Sequence, residues 1–357
     1  VSSATVALPP LADSRNEQIE AFLTQAGWPA AQRSAIPGDA SFRRYERISQ
    51  AERHAILMDA PPEKEDVRPF ITVARLLKTW NLSAPEILAE DKQNGFLLLE
   101  DLGDASFTRL LNGSLKLPPS YAGALNEKEM YLQAVEVLCH LSRCSLPEES
   151  GIPAYDSALL LQELKVFSDW YLPNVAQGNT LERLQQEFLN LWKDNLLSLV
   201  PVVKPVLVMR DYHADNLMWL PSRENYRMIG LLDFQDATAG HPAYDLVSLL
   251  EDARRDVAEE TVQACLEYYL KHSNTEKRET FELAYSLLGA QRNLKIIGIF
   301  HRLNRRDGKP RYLSYLPRVW NHLLRDCSHP ALEPLARWCY EHLSEYRDYS
   351  TSRQSGC

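Results

Sequence analysis

Three short apolar runs, at 205–209, 216–220 and 228–233, interrupt a region whose periodicity is otherwise helical. The first leads into Arg210-Asp211, the second opens on Asn216, and the third ends in Asp233. Runs this short can build only a small sheet, and a carboxylate at the end of a buried strand is costly unless it is paired or used in chemistry. If the loop PSRENYR turns near Glu224–Asn225, Asn216 and Asp233 lie roughly opposite each other at the open end of a hairpin, with Asp211 in the loop that feeds it. One or two carboxylates and an amide, with room for water and phosphate oxygens, form the ligand set that Mg²⁺ accepts.

The rest of the chain frames that hairpin. Segments near 127–143, 157–173, 181–199, 242–256, 258–272, 279–303 and 330–346 carry helical spacing of apolar residues. The first hundred residues differ. An opening helix is signalled by the S-x-x-E capping box Ser14–Glu17 and by Ile19, Phe22 and Leu23. Strand signals follow at 42–48, 54–58, 86–89 and 95–99, with a helix marked by Val67, Phe70, Ile71, Ala74 and Leu77 between them. The expected fold class is α+β: a strand-rich lobe over 13–103 and a large helical lobe over 104–350, with a disordered lead-in at 1–12 and a tail at 351–357. Two lobes leave a cleft, and clefts between lobes take small ligands.

Composition narrows the class. A net charge of −9 on 357 residues argues against a general nucleic-acid or membrane-surface binder. No apolar run approaches the ~20 residues of a spanning helix. VSSATVALPPLA lacks the basic start of a signal peptide. Six scattered cysteines without a C-x-x-C pair fit reduced thiols in a cytoplasmic protein.

Asp211 and Asn216 have the D-x-x-x-x-N spacing of the kinase-like catalytic loop, and Leu231-Leu232-Asp233-Phe234 matches its metal-binding strand. RDYHADN resembles the H-G-D-x-H-x-x-N loop of the aminoglycoside phosphotransferase and choline kinase superfamily, and Gly240 with Asp245-Leu246 fits its G-x-x-x-x-D-L element. The ordered set GDASFRRYERI, MDAPPEKED, GFLLLEDLGD, LLDFQDA, YDLVSLLEDARRDV and GIFHRLNRRDGKPRYLSYLPRVW resembles bacterial kinases that phosphorylate the anomeric position of N-acetylmuramate and N-acetylglucosamine. The resemblance implies a protein-kinase-like two-lobed fold, ATP and Mg²⁺ as cofactors, and an amino-sugar substrate. By that resemblance Asp211 is the general base, Asn216 and Asp233 hold the metal, and Glu100 to Leu102 form the hinge whose backbone meets adenine. Ser41, with Arg43 or Arg44, then falls at the phosphate-covering turn, although Gly38 is its only glycine.

Two positions depart from the family pattern. Met209 stands where the H-x-D histidine belongs, and Met58 stands where the third strand should carry a phosphate-binding lysine. The missing lysine keeps a nucleotide-binding regulatory pseudokinase as an alternative, beside an aminoglycoside, choline or other metabolite kinase. Asp236 reads either as a turn cap or as an extra metal or substrate carboxylate. Arg210, His213 and Asp245 read as supports of the catalytic loop. The basic run 301–309 is either a solvated face or, through Arg306, a grip on the lactyl carboxylate of muramate. Nothing in the residues speaks to oligomeric state.

Overall fold

The computed structural model describes residues 11–37, 42–116, 126–274 and 277–354. The N-terminal lobe is an antiparallel sheet in the order β1-β2-β3-β5-β4, formed by β1 (Gln32–Ile36), β2 (Arg44–Gln50), β3 (Arg53–Asp59), β4 (Ile87–Asp91) and β5 (Phe96–Glu100). Strand alternation sorts its two faces. Ala55 and Leu57 of β3, with Phe96 and Leu98 of β5, pack against Ile19, Phe22 and Leu23 of α1 (Leu11–Gln25). The intervening Met58, Leu97 and Leu99 join the larger core, which also takes in Phe70, Ile71, Val73, Ala74 and Leu77 of α2 (Arg68–Thr79).

The helical lobe contains α3 (Phe107–Leu111), α4 (Glu127–Leu141), α5 (Ser157–Trp170), α6 (Gly178–Asn190), α7 (Ala243–Leu250), α8 (Glu259–His272), α9 (Arg278–Asp307), α10 (Leu316–Asp326), α11 (Glu333–His342) and α12 (Ser344–Gln354). Side chains set where several of them start. Asn126 and Glu129 close a capping box on α4, and Asp156 accepts from Leu159 N at 2.9 Å on α5. Among these helices run β6 (Val206–Val208), β7 (Leu217–Trp219), β8 (Ile229–Leu231) and β9 (Thr238–Gly240), paired as β6-β9 and β7-β8. Gly230 of β8 lies directly under the interlobe hinge. A Cβ there would stand 2.9 Å from Leu102 Cδ1 and 3.0 Å from Met218 Cβ, so only glycine fits without displacement.

Several expectations are corrected. Helix α1 begins at Leu11, so Ser14 lies within its first turn instead of capping it, and the helix starts inside the stretch read as a lead-in. At the other end α12 runs to Gln354, into the stretch read as a tail. The edge strand β1 carried no alternation to read, because most of its residues are exposed. The hairpin register is one residue off the expectation of a turn centred near Glu224–Asn225. Leu217 pairs with Leu231, Leu232 N donates to Asn216 O at 3.0 Å, and Asp233 falls one position beyond the pair. Leu220 N donates to Met228 O at 2.8 Å, so the loop turns about Glu224 itself and not between Glu224 and Asn225.

His241, just after β9, caps the entry to α7 by accepting from Ala243 N at 3.1 Å, and burial pushes its imidazole down to about 4. Its ordinary value is ~6.5. As pH falls through that window the unfolded chain takes up a proton that the fold refuses, so the stability this histidine contributes is complete above the window and is lost towards acid. Between about pH 7.5 and about pH 5 the loss should be about 2 kcal/mol. Urea unfolding of the parent and His241→Asn at both pH values should show the gap between them narrowing by that amount. A constant gap would contradict a neutral buried imidazole.

Candidate active site

Two cavities meet in the cleft, and Asp233 and Tyr45 line both. The first, about 650 Å³, lies under the sheet between Ile56, Leu99 and the hinge on one side and Asn216, Met218 and Leu232 on the other. Glu100 and Leu102 both line it. The Glu100 carboxylate is taken by Arg223 of the helical lobe, and Glu100 N is used by Glu86 O at 2.8 Å. No backbone hydrogen bond among the described residues engages Leu102, which leaves its N–H and C=O for a planar, hydrogen-bonding base. Arg47 of β2 braces the hinge through Asp101 at 2.7 Å and Asp104 at 3.2 Å.

The second cavity, about 580 Å³, opens beyond Asp233 and is walled by Arg43, Arg254, Arg292, Arg302 and Arg306, with Asp211 and Asp236 also on its surface. The Asp211 carboxylate is open to this cavity, while protein crowds round it from every other side. Burial alone would raise its pKa. Lys295 outweighs it, with His213, Arg292 and Arg210, and holds the carboxyl below its ordinary range.

The loop itself is tightly held. Asp245 at the start of α7 accepts from Met209 N at 2.7 Å and from Arg210 N at 2.8 Å, and Ser248 Oγ donates to Arg210 O at 3.1 Å. Asn216 Nδ2 donates to Asp211 O at 2.9 Å, which leaves its Oδ1 as the uncommitted ligand atom. His213 is buried, with Nε2 3.3 Å from Arg254 and 3.5 Å from Asn216 Nδ2, and burial lowers its pKa. Asp233 sits in the left-handed region at φ +57° and accepts on Oδ1 from Arg43 at 3.4 Å and from Gln235 at 3.0 Å. Asp233 and Asn216 both line the first cavity, and no hydrogen bond among the described residues engages Asp233 Oδ2 or Asn216 Oδ1, a set that fits Mg²⁺ completed by phosphate oxygens and water.

The structure separates the remaining sequence candidates. Arg43 reaches Asp233 and also pairs with Glu65 at 3.2 Å, so it is a cation at the junction of the two cavities. Arg44, one position on, is exposed and lines neither cavity, because strand alternation turns it to the opposite face. Ser41 and Gly38 lie outside the described residues. Asp236 lies on the second cavity, and its carbonyl accepts from Arg210 at 3.2 Å. Arg306 lines that cavity, but its guanidinium is engaged by the adjacent Asp307 at 2.8 and 3.0 Å. Sequence reasoning missed Glu163, Arg292 and Lys295. The signal was present: charged residues interrupt otherwise apolar helix faces, as Glu163 does between Leu160, Leu164 and Phe167.

A five-stranded lobe hinged to a helical lobe, with an acidic loop and an oxygen-ligand hairpin at their junction, defines a kinase-like phosphotransferase with a hydroxyl acceptor. The phosphotransferase enzyme family matches residues 32–282, and the chain belongs to it. Among its relatives, the N-acetylmuramate/N-acetylglucosamine kinase of Caulobacter vibrioides is 34% identical, covering 92% of this chain and 96% of its own. That of Pseudomonas aeruginosa is 38% identical, covering 87% and 91%. Of solved structures, spectinomycin phosphotransferase in complex with ADP and spectinomycin is similar in fold at a TM-score of 0.57 and 14% identity, covering 84% of this chain and 93% of its own. The GDP complex of aminoglycoside 2′-phosphotransferase-IIIa gives 0.58 and 16%, with coverage of 85% and 98%. Among the described residues no helix is long and apolar enough to cross a membrane.

Proposed function

We propose that this chain is a cytoplasmic, ATP- and Mg²⁺-dependent kinase that phosphorylates the anomeric hydroxyl of N-acetylmuramate and N-acetylglucosamine salvaged from cell wall. The observation that carries the reading is the meeting of two cavities at Asp233, with Asp211 on the acceptor side and the hinge on the other. The shared name of relatives at 34–38% identity supports the substrate. In this reading Leu102 presents its backbone to adenine, and Asn216 Oδ1 with Asp233 Oδ2 hold the metal. When bound there, the ion would supply positive charge against the charge that builds up on the phosphate oxygens. Arg43, next to Asp233, supplies the cation that Met58 does not. Asp211 orients the sugar hydroxyl and takes its proton, its lowered pKa keeping it ionised at neutral pH.

The arginine wall explains the choice of sugar. Arg306 is occupied by Asp307, whereas Arg302 Nε is buried without a hydrogen-bond partner among the described residues. Burial and the neighbouring Arg306 lower the Arg302 pKa, so an anion bound there relieves an uncompensated charge. Arg302 is thus the better seat for the lactyl carboxylate, which N-acetylglucosamine lacks. The test is ADP release with N-acetylmuramate, N-acetylglucosamine, choline and kanamycin, on the parent and on Arg302→Ala. Turnover should appear with the two amino sugars. Arg302→Ala should raise KM for N-acetylmuramate about 10- to 100-fold and leave N-acetylglucosamine within about twofold, as loss of one charge-assisted pair implies. Equal losses for both sugars would remove the carboxylate assignment. Turnover with kanamycin or choline alone would overturn the sugar reading, and nucleotide binding without any turnover would favour a regulatory role.

A further inference from the structure

Beneath the acceptor cavity lies a buried charge cluster that the proposed reaction does not use directly. Glu163 projects from α5 with a side chain only 8% exposed. It receives Lys295 Nζ at 2.6 Å, Tyr155 OH at 2.5 Å, Gln291 Nε2 at 3.2 Å and the guanidinium of Arg210. The approach of α9 to α5 that makes this cluster depends on Gly298. A Cβ there would lie 2.5 Å from the backbone of Val166 and Phe167, so a side chain would push the helices apart and carry Lys295 away from Glu163.

Arg210 is the residue before Asp211, and it occupies the left-handed region at φ +69°, which costs a side-chain-bearing residue about 1 kcal/mol or more. Its backbone is fixed by Asp245 and Ser248. Its guanidinium is fixed by Glu163 and also donates to Asp236 O at 3.2 Å, three residues after Asp233. One side chain therefore links the Asp211 loop to the Asp233 segment. Met209, buried and apolar, adds no side-chain hydrogen bond to that linkage.

We infer that Glu163, through Arg210 and with Lys295 as its second counter-charge, is the positioning residue that holds the Asp211 loop in register with the Asp233 segment. The inference rests on Asp211 being the base. Charge balance gives it a consequence that packing alone would not have. Glu163 and Asp211 are two anions facing Arg210 and Lys295. Asp211 is the next carboxylate after Glu163 whose charge acts on both cations, so without the Glu163 charge it is drawn towards them and away from the acceptor. The other charged groups around Asp211, namely Arg292 from α9, His213 on its own loop and Asp245 from α7, stay unchanged.

The test uses the full chain and separates kcat from KM. Glu163→Gln should lower kcat about 100-fold, the scale expected when a reacting group is displaced by about 1 Å, and leave KM for ATP within about threefold. The double variant Glu163→Gln/Lys295→Met restores the balance of charge and should recover kcat at least about tenfold over the single variant. If Glu163→Gln does not fold, the double variant, with one buried cation fewer, should fold and turn over. Parent-like kcat in Glu163→Gln, a double variant no faster than the single one, or a rise in KM for ATP matching the fall in kcat would each overturn the inference. Asp211→Asn, measured with the Glu163 cluster intact, separates failure of the base assignment from failure of the positioning role.

Discussion

Asp211→Asn is expected to lower turnover by about 10²–10⁴-fold with N-acetylmuramate or N-acetylglucosamine while nucleotide binding and folding stay close to the parent. The substitution is nearly isosteric. Every hydrogen bond found for Asp211 uses its backbone: its N–H donates to Met209 O at 2.8 Å, and its carbonyl accepts from His213 N at 3.1 Å and Asn216 Nδ2 at 2.9 Å. The residue lines the second cavity, so an amide there removes the proposed proton acceptor and leaves the loop's framework in place. Single-turnover kinetics beside calorimetric ADP titration would separate the two effects. Turnover within a few-fold of the parent would move the base to another residue.

The second large effect is expected from Asp233→Asn. Asparagine tolerates the left-handed backbone at φ +57° and keeps an oxygen for Gln235, so the turn should persist. What disappears is the negative charge beside Arg43 and the stronger of the two oxygen donors in the proposed metal site. Turnover should fall about 10²–10³-fold, the scale for removing one electrostatic contact to the transition state. The tightening of ADP binding by Mg²⁺ should vanish as well. Titrations with Mg²⁺ and with a chelator read this directly. An undiminished Mg²⁺ effect would place the ion on other ligands.

The place of these two residues on the cleft was legible from spacing, because each ends or follows an apolar strand. The run 54–58 was legible as a strand, but its two faces were sorted only by packing, with Ala55 and Leu57 in one core and Ile56 and Met58 in the other. Helix α10 was obscured. Its apolar residues Val319, Trp320 and Leu323 follow so closely on the basic run that the charge pattern dominated the reading. The hairpin register differed by one residue because the turn centres on Glu224 and not between Glu224 and Asn225.

The sequence by itself determined the class of chemistry. An aspartate, an asparagine five residues on and a strand-borne second aspartate need only local strand geometry to reach one end of a small sheet. Tertiary structure alone decided which charges surround them. Arg43 comes to Asp233 from 190 residues away, and Lys295 meets Glu163 from 132. Arg44 is excluded from the cleft by the pleat of a single strand. Coulomb interactions depend on distance and on burial, and neither is encoded in sequence separation. Asp211 therefore required the packing of α5 against α9, across the gap that Gly298 leaves, before its environment could be known.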